Sequence, residues 1–277
     1  MQNKKPKRVF AMGGGGIGCH EDIATVIWLL KSTGKACPKI CYIPTACGDS
    51  HEAVQDFFEY MRLFECEPSY LELFSPLDDD IDTYAHDLIT SQDIVFVEGG
   101  NTANMLAIWR VHGVDKALKE AYEKGVVMSG LSAGSLCWFE GGTTDSFGRK
   151  LRAINDGLGI LKGSNCPHYN GEAQRRPLYH KLIKEGTLSP GIAADEGVGL
   201  HFIDGVFKEA ITCRGQRSKA YQVKLNDEGE IQETAIPAHQ VENELNLWLR
   251  ERRNIRKNEI LRDESEAEGL FSKKELR

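Results

Sequence analysis

The chain has no long apolar run. Its longest uninterrupted hydrophobic stretches, Val26–Leu30 and Met105–Trp109, reach five residues, far short of the roughly 20 that a membrane-spanning helix needs. Excess positive charge is missing too. Against 41 acidic residues stand 34 Lys and Arg, for a net charge of −7, which argues against nonspecific binding to nucleic acid or to an anionic membrane. The basic residues from Met1 to Arg8 lead only into Val9–Met12, too short for the apolar core of a secretory leader. Eight cysteines occur without a single C-x-x-C pair. Cys37 and Cys41, the closest spaced, sit in or beside an expected strand, so reduced thiols in a cytoplasmic protein are expected rather than disulfides or zinc. No cluster of His, Cys and carboxylates has metal-ligand spacing, and neither metal nor cofactor is expected. Internal repeats and linkers are also lacking. One domain over residues 1–262 is expected, followed by a charged, mobile tail over 263–277.

What is present is an alternation of strands and helices. Arg8–Met12, Lys39–Ile43, Ser69–Phe74 and Asp93–Val97 read as strands, while Glu21–Lys31, His51–Phe64, Asn101–Trp109 and Val114–Lys124 read as helices. Another apolar run, Gly125–Ser129, follows. This rhythm predicts a doubly wound α/β fold with a mostly parallel sheet covered on both faces. Such sheets bind ligands beyond the carboxyl ends of their strands. From about Gly142 the pattern changes. Gly157–Leu161, Gly191–Ala194, Val198–Ile203, Val206–Thr212, Ala220–Val223 and Ile231–Ile236 are short apolar pieces split by turns such as Asp204-Gly205. They predict antiparallel additions to the same domain. Residues 240–261 are expected to be helical.

Three glycine-rich turns fall at expected strand ends. Gly130-Leu131-Ser132-Ala133-Gly134 follows the fifth strand and opens into Ser135–Phe139. A serine flanked by small residues on such a turn is lifted above the sheet edge as a nucleophile; the bland alternative is an ordinary strand-to-helix turn. In Glu98-Gly99-Gly100-Asn101-Thr102, the N–H groups of Gly99 and Gly100, with that of Ala133, suit an oxyanion. Alternatively, Asn101 or Thr102 simply caps the next helix. Gly13, Gly15 and Gly18 match the spacing G-x-G-x-x-G of a dinucleotide site. The acid that such a site expects after the second strand is missing from Tyr42-Ile43-Pro44-Thr45-Ala46, so a tight loop packed against the site is the better reading.

A serine nucleophile needs a base, and the base needs an acid. His51, His86, His112 and His180 fall in or at the ends of expected helices, and His201 alternates with apolar neighbours as a strand-surface residue would. His168, after a short apolar strand and Pro167, is the best candidate base. For the acid, Glu196, Asp195 and Asp145 are all candidates that spacing alone does not separate. Arg175 and Arg176 lie shortly after His168 and are candidates for pairing with a substrate carboxylate; the alternative is a solvated helix face.

At these residues the chain resembles peptidase family S51, which contains the aspartyl dipeptidase peptidase E and the cyanophycinases. The motifs that carry the resemblance are Tyr42–Ala46, Glu98–Thr102, Gly130–Ser135, Cys166–Tyr169 and Asp195–Gly197, in the family's order over roughly residues 8 to 215. The resemblance implies a flavodoxin-like fold related to class I glutamine amidotransferases. It also implies cytoplasmic, metal-independent hydrolysis of short peptides or unusual amide bonds. Ser132, His168 and Glu196 would form the triad, with Gly99, Gly100 and Ala133 at the oxyanion and Asn101, Arg175 and Arg176 toward the substrate. The expected partner is a small peptide, with no nucleic acid or membrane, and a homodimer is left open. The chain departs from the dipeptidases in two places. Their E-x-R-x-x-R stretch reads Glu172-Ala173-Gln174-Arg175-Arg176-Pro177 here, and their S-A-G-A-N elbow reads Ser132-Ala133-Gly134-Ser135-Leu136. A cyanophycinase-like amidase or an esterase is the alternative within enzymes, and a catalytically silent ligand-binding protein is the alternative outside them.

Overall fold

The computed structural model describes residues 5–18, 20–75, 80–215 and 217–241. Strands buried on both faces build its central sheet. In β1 (Arg8–Met12), β2 (Lys39–Ile43), β4 (Ile94–Val97) and β5 (Val127–Leu131), successive side chains enter opposite cores. Val9, Ala11, Cys41, Ile43, Val95 and Val97 pack on one side, and Phe10, Met12, Ile40, Tyr42, Ile94 and Phe96 on the other. A strand has a side-chain period of two, so burying both faces demands this continuous apolar run. Helices α1 (Ile23–Lys31) and α2 (His51–Met61) cover the second face; α3 (Ile81–Thr90), α4 (Thr102–Val111) and α5 (Val114–Glu123) cover the first. The parallel core runs β3-β2-β4-β5-β1, with β3 at Glu67–Tyr70. It is a mixed, mostly parallel α/β arrangement, consistent with a flavodoxin-like fold.

β3 begins and ends earlier than Ser69–Phe74. Its register against β2, Lys39 opposite Glu67 through Tyr42 opposite Tyr70, uses up that strand. Beyond it, the Leu73 and Phe74 N–H groups donate to Asp49 Oδ2 at 2.5 and 3.0 Å instead of to a ladder.

The second half differs more. β10 (Val198–Ile203) joins β1 antiparallel, β11 (Val206–Thr212) joins β10, and β14 (His239–Gln240) completes the eight-stranded sheet. The remaining strands leave it. β6 (Gly141–Thr144), β7 (Arg152–Ile154), β8 (Ser164–Cys166), β9 (Gly191–Ala194), β12 (Lys219–Leu225) and β13 (Ile231–Pro237) form a separate sheet, ordered β13-β12-β9-β8-β6-β7. In it β8 is parallel to both β6 and β9. Helix α7 (Arg175–Lys184) packs on this sheet, and Ile192 and Ala220 share a core with Leu200 and Phe202 of the first. Gly157–Leu161 is not a strand. The Leu158 and Leu161 N–H groups donate to Cys137 and Trp138 carbonyls at 2.8 Å, and both side chains are buried. The helix expected over 240–261 begins on Gln240, which is in β14; residues 242–277, including the expected tail, lie outside the described residues. Among the described residues no helix is long and apolar enough to cross a membrane.

Candidate active site

β5 passes into α6 (Ala133–Leu136) through Ser132, which has φ 52° and ψ −109°. A non-glycine residue in that region carries about 1–3 kcal/mol of strain and stays there only when its surroundings hold it. The Ser132 N–H donates to the Met12 carbonyl at 3.1 Å, and its carbonyl accepts from Ser135 and Leu136 at 3.0 and 2.9 Å. Gly130 and Gly134 both press on the Val97 carbonyl at the end of β4, where a Cβ on either would overlap it. The two glycines of the turn are therefore required by close approach.

His168 follows β8 and is also left-handed, with φ 55°. Its N–H donates to the Gly13 carbonyl at 2.8 Å, and the N–H of Gly197, next to Glu196, donates to the Gly14 carbonyl at 3.1 Å. Three successive carbonyls at the end of β1 thus hold Ser132, His168 and the Glu196 turn. His168 Nδ1 is hydrogen-bonded to Glu196 Oε1. A Cβ on Gly14 would run into the Glu196 carboxylate and come within 2.9 Å of His168 Cε1, and one on Gly13 would overlap the Asp195 carbonyl. The glycine run after β1 lets backbone pass beneath these side chains. Its bond to His168 holds the Glu196 carboxyl below the usual range against the opposing effect of burial, and the positive charges of Arg214 and Arg175 add to this. The other two candidate acids lie elsewhere. Asp195 Oδ2 accepts from the Lys219 N–H at 3.0 Å and the Tyr221 hydroxyl at 3.4 Å, and burial pushes its carboxyl upward. Asp145 is exposed at the rim of a recess beside Ser132.

The second turn differs from expectation at one N–H. Gly99 N–H donates to Glu98 Oε1 at 2.8 Å, and Glu98 Oε2 accepts from the Tyr42 hydroxyl at 2.7 Å. That donor is already held. The N–H groups of Gly100 and Ala133 make no hydrogen bond among the described residues. Asn101 is also engaged: its Oδ1 caps α4 through the Asn104 N–H at 2.9 Å, and its Nδ2 donates to the Ser146 carbonyl at 2.9 Å. This is the helix-capping role.

The two arginines separate. Arg176 pairs with Glu233 and lies over the rings of Tyr169 and Tyr221, 5.4 and 5.2 Å from their centroids. It is tied to β13 through Glu233 and does not line the recess beside Ser132. Arg175 is 3% exposed, so the solvated helix face does not describe it either. Its Nη1 donates to the Thr143 carbonyl at 3.3 Å and Nη2 to Glu172 at 3.0 Å, while buried Nε has no partner among the described residues. With Ser132, Thr102, Thr143 and Pro167 it lines a narrow recess of about 10 Å³. A buried donor without an acceptor is uncommon enough to call for an explanation.

His201 is buried rather than on a strand surface, edge-on to Trp28 with ring centroids 4.8 Å apart. Thr143 and the Asp22–Arg214 pair also belong to the site's surroundings but carry no motif. All seven described cysteines are free, and among the described residues no group of His, Cys and carboxylates is arranged to hold a metal.

A model of peptidase family S51 matches residues 9–210. The chain belongs to this family. It is 42% identical over 232 residues to the uncharacterized peptidase YgaJ of Bacillus subtilis, covering 83% of this chain and 97% of the relative. Two solved structures share the fold at low identity. A peptidase from an acI-B1 actinobacterium has a TM-score of 0.65 at 17% identity, covering 86% of this chain and 97% of its own. A putative peptidase E protein from Listeria monocytogenes has a TM-score of 0.53 at 18% identity, covering 75% and 98%. As an S51 member the chain is a serine-type peptidase, a hydrolase whose substrates are peptides.

Proposed function

We propose that Ser132, His168 and Glu196 form the catalytic triad of a peptidase that cleaves dipeptides or other short peptides. The observation that carries this reading is the His168–Glu196 hydrogen bond, with His168 and Ser132 suspended from consecutive carbonyls, Gly13 and Met12. His168 Nε2 takes the proton from Ser132 Oγ as it attacks the peptide carbonyl, then returns it to the leaving amine. Glu196, held at Nδ1, keeps the imidazole in the required tautomer and stabilises the imidazolium. Gly100 and Ala133 N–H bind the oxyanion, where losing one donor typically costs about 3 kcal/mol. Arg175 Nε offers a charge-assisted hydrogen bond to a substrate carboxylate in the recess, which favours acidic peptides.

Labelling with a fluorophosphonate tests the nucleophile. Modification at Ser132, lost in Ser132→Ala, supports the triad; an unlabelled, folded protein overturns it and favours a silent binding protein. A dipeptide library then tests the recess, since cleavage without preference for acidic residues removes Arg175 from substrate recognition. A cytoplasmic location belongs to the same reading, supported by three buried free thiols, Cys41, Cys137 and Cys166; cell fractionation checks it.

A further inference from the structure

An ion pair between buried Asp22 and partly exposed Arg214 sits behind the triad, joining residues far apart in sequence. Asp22, 0% exposed at the turn into α1, accepts Arg214 Nε on Oδ1 at 2.8 Å and Arg214 Nη2 on Oδ2 at 2.6 Å. The same Oδ2 accepts the Gly16 N–H at 2.7 Å. Arg214 follows β11, where its N–H donates to Thr212 Oγ1 at 3.1 Å and Glu21 approaches its Nη1 at 3.5 Å. Its side chain runs directly over Gly197, the residue after Glu196, and a Cβ on Gly197 would overlap Arg214 Cδ and Nε. A Cβ on Gly15 would likewise overlap Asp22 and Arg214. The loop that holds the triad by its Met12, Gly13 and Gly14 carbonyls is therefore gripped from its other side at Gly15, Gly16 and Gly197.

We propose that the Asp22–Arg214 pair is a positioning element for the peptidase reaction, fixing the loop and the Glu196 turn so that Glu196 sets the His168 imidazole toward Ser132. The inference rests on the triad reading above. Two physical points favour positioning over simple stabilisation. A bidentate guanidinium–carboxylate pair fixes direction as well as distance, whereas a buried ion pair contributes little net stability compared with an apolar pair of similar size. The loop also holds Ser132, His168 and Gly197 by backbone hydrogen bonds, so one displacement reaches all three members, and an error of about 1 Å in such geometry costs roughly 10²-fold in rate. The charged groups that act most strongly on Glu196 are His168, Arg214 and Arg175, so Arg214 also helps keep that carboxylate ionised.

The test is the rate of fluorophosphonate labelling of Ser132 in the full chain, followed between about pH 5 and 9. Parent, Arg214→Lys, Arg214→Met and the double variant Asp22→Leu/Arg214→Met are compared, each with its Tm. Arg214→Met is expected to label about tenfold more slowly or worse, with the acidic limb of the profile moved to higher pH, and Arg214→Lys to recover part of both. Should Arg214→Met fail to fold, the double variant leaves no buried charge unpaired and carries the same expectation. Labelling of the double variant at the parent's rate and pH profile would falsify the proposal while leaving the triad intact. A rate loss that only tracks lost folded protein, with an unmoved profile, overturns it as well. An unlabelled parent removes both the triad and this inference.

Discussion

Besides His201–Glu209 on adjacent strands, the second half of the chain holds two further histidine–glutamate pairs among the described residues, His168–Glu196 and His180–Glu233. Both are partly buried. They differ in which ring nitrogen is occupied. Glu196 takes His168 Nδ1, leaving Nε2 for a reacting group. Glu233 Oε2 and the Tyr169 hydroxyl both meet His180 Nε2, at 2.9 Å each. The first pair sits on loops past strand ends, pinned by backbone to β1. The second joins α7 to β13 through side chains. A histidine and a carboxylate in contact are thus not enough to make a catalytic base; the free nitrogen and the strand-end setting separate the clasp from the proposed triad.

The largest expected effect tests that contrast directly. Ser132→Ala and His168→Ala should each lower peptide hydrolysis by about 10⁴-fold or more, leaving only what an oxyanion hole and binding supply. His180→Ala should change it only a few-fold while lowering Tm. Comparable losses in turnover from His168→Ala and His180→Ala, both folded, would erase the distinction.

Next comes the glycine packed against the first pair. Gly14→Ala drives a methyl into Glu196 and His168, and about a 10²-fold loss of turnover is expected, with a modest loss of stability. Near-normal turnover would mean that the loop yields easily and that the triad does not depend on it.

These turns are also where the sequence was most legible. The turns at Ser132 and Glu98–Thr102 were visible because a glycine turn at a strand end is local chemistry, contained within five or six residues, and His168 stood out beside Pro167. The parallel half of the fold was legible for the same reason, since strands buried on both faces are continuous apolar runs. The second sheet was not. β6, β7 and β8 are three or four residues long, and Gly142, Ser164 and Asn165 give no strand periodicity; their pairing is decided by distant partners. The capture of Gly99 N–H by Glu98, the burial of Arg175 beside exposed Arg176, and a contact between Asp22 and Arg214 are likewise outcomes of packing across long sequence separations.

A smaller effect sharpens the contrast between neighbouring arginines. Arg175→Ala should raise KM for acidic dipeptides by roughly tenfold to a hundredfold, the value of a charge-assisted hydrogen bond to a buried partner, with neutral dipeptides less affected. Arg176→Ala should leave KM alone. It loses a half-exposed ion pair and ring contacts worth about 1 kcal/mol together, or about 2–4 °C in Tm. If the two variants exchanged phenotypes, the recess would not be where the substrate carboxylate binds.

The smallest effect concerns pH and the clasp alone. Burial works against the charged form of Glu233, yet hydrogen bonds from Tyr169 and His180 and the charge of Arg176 outweigh it, so the carboxyl sits below its ordinary value. A carboxylate depressed in the folded state adds stability above the unfolded value, near pH 4.5, and that contribution is lost as pH falls through the folded value. Parent and Glu233→Gln should therefore differ in Tm by a constant amount between about pH 5.5 and 7, and the gap should close below about pH 4.5. Turnover near neutral pH should hardly change, because Glu233 reaches His180 and Tyr169 rather than His168. A Tm gap that widened on acidification would assign the clasp the opposite sign. A loss of turnover without a loss of Tm would show that Glu233 acts on the catalytic pair through Tyr169, its covalent neighbour.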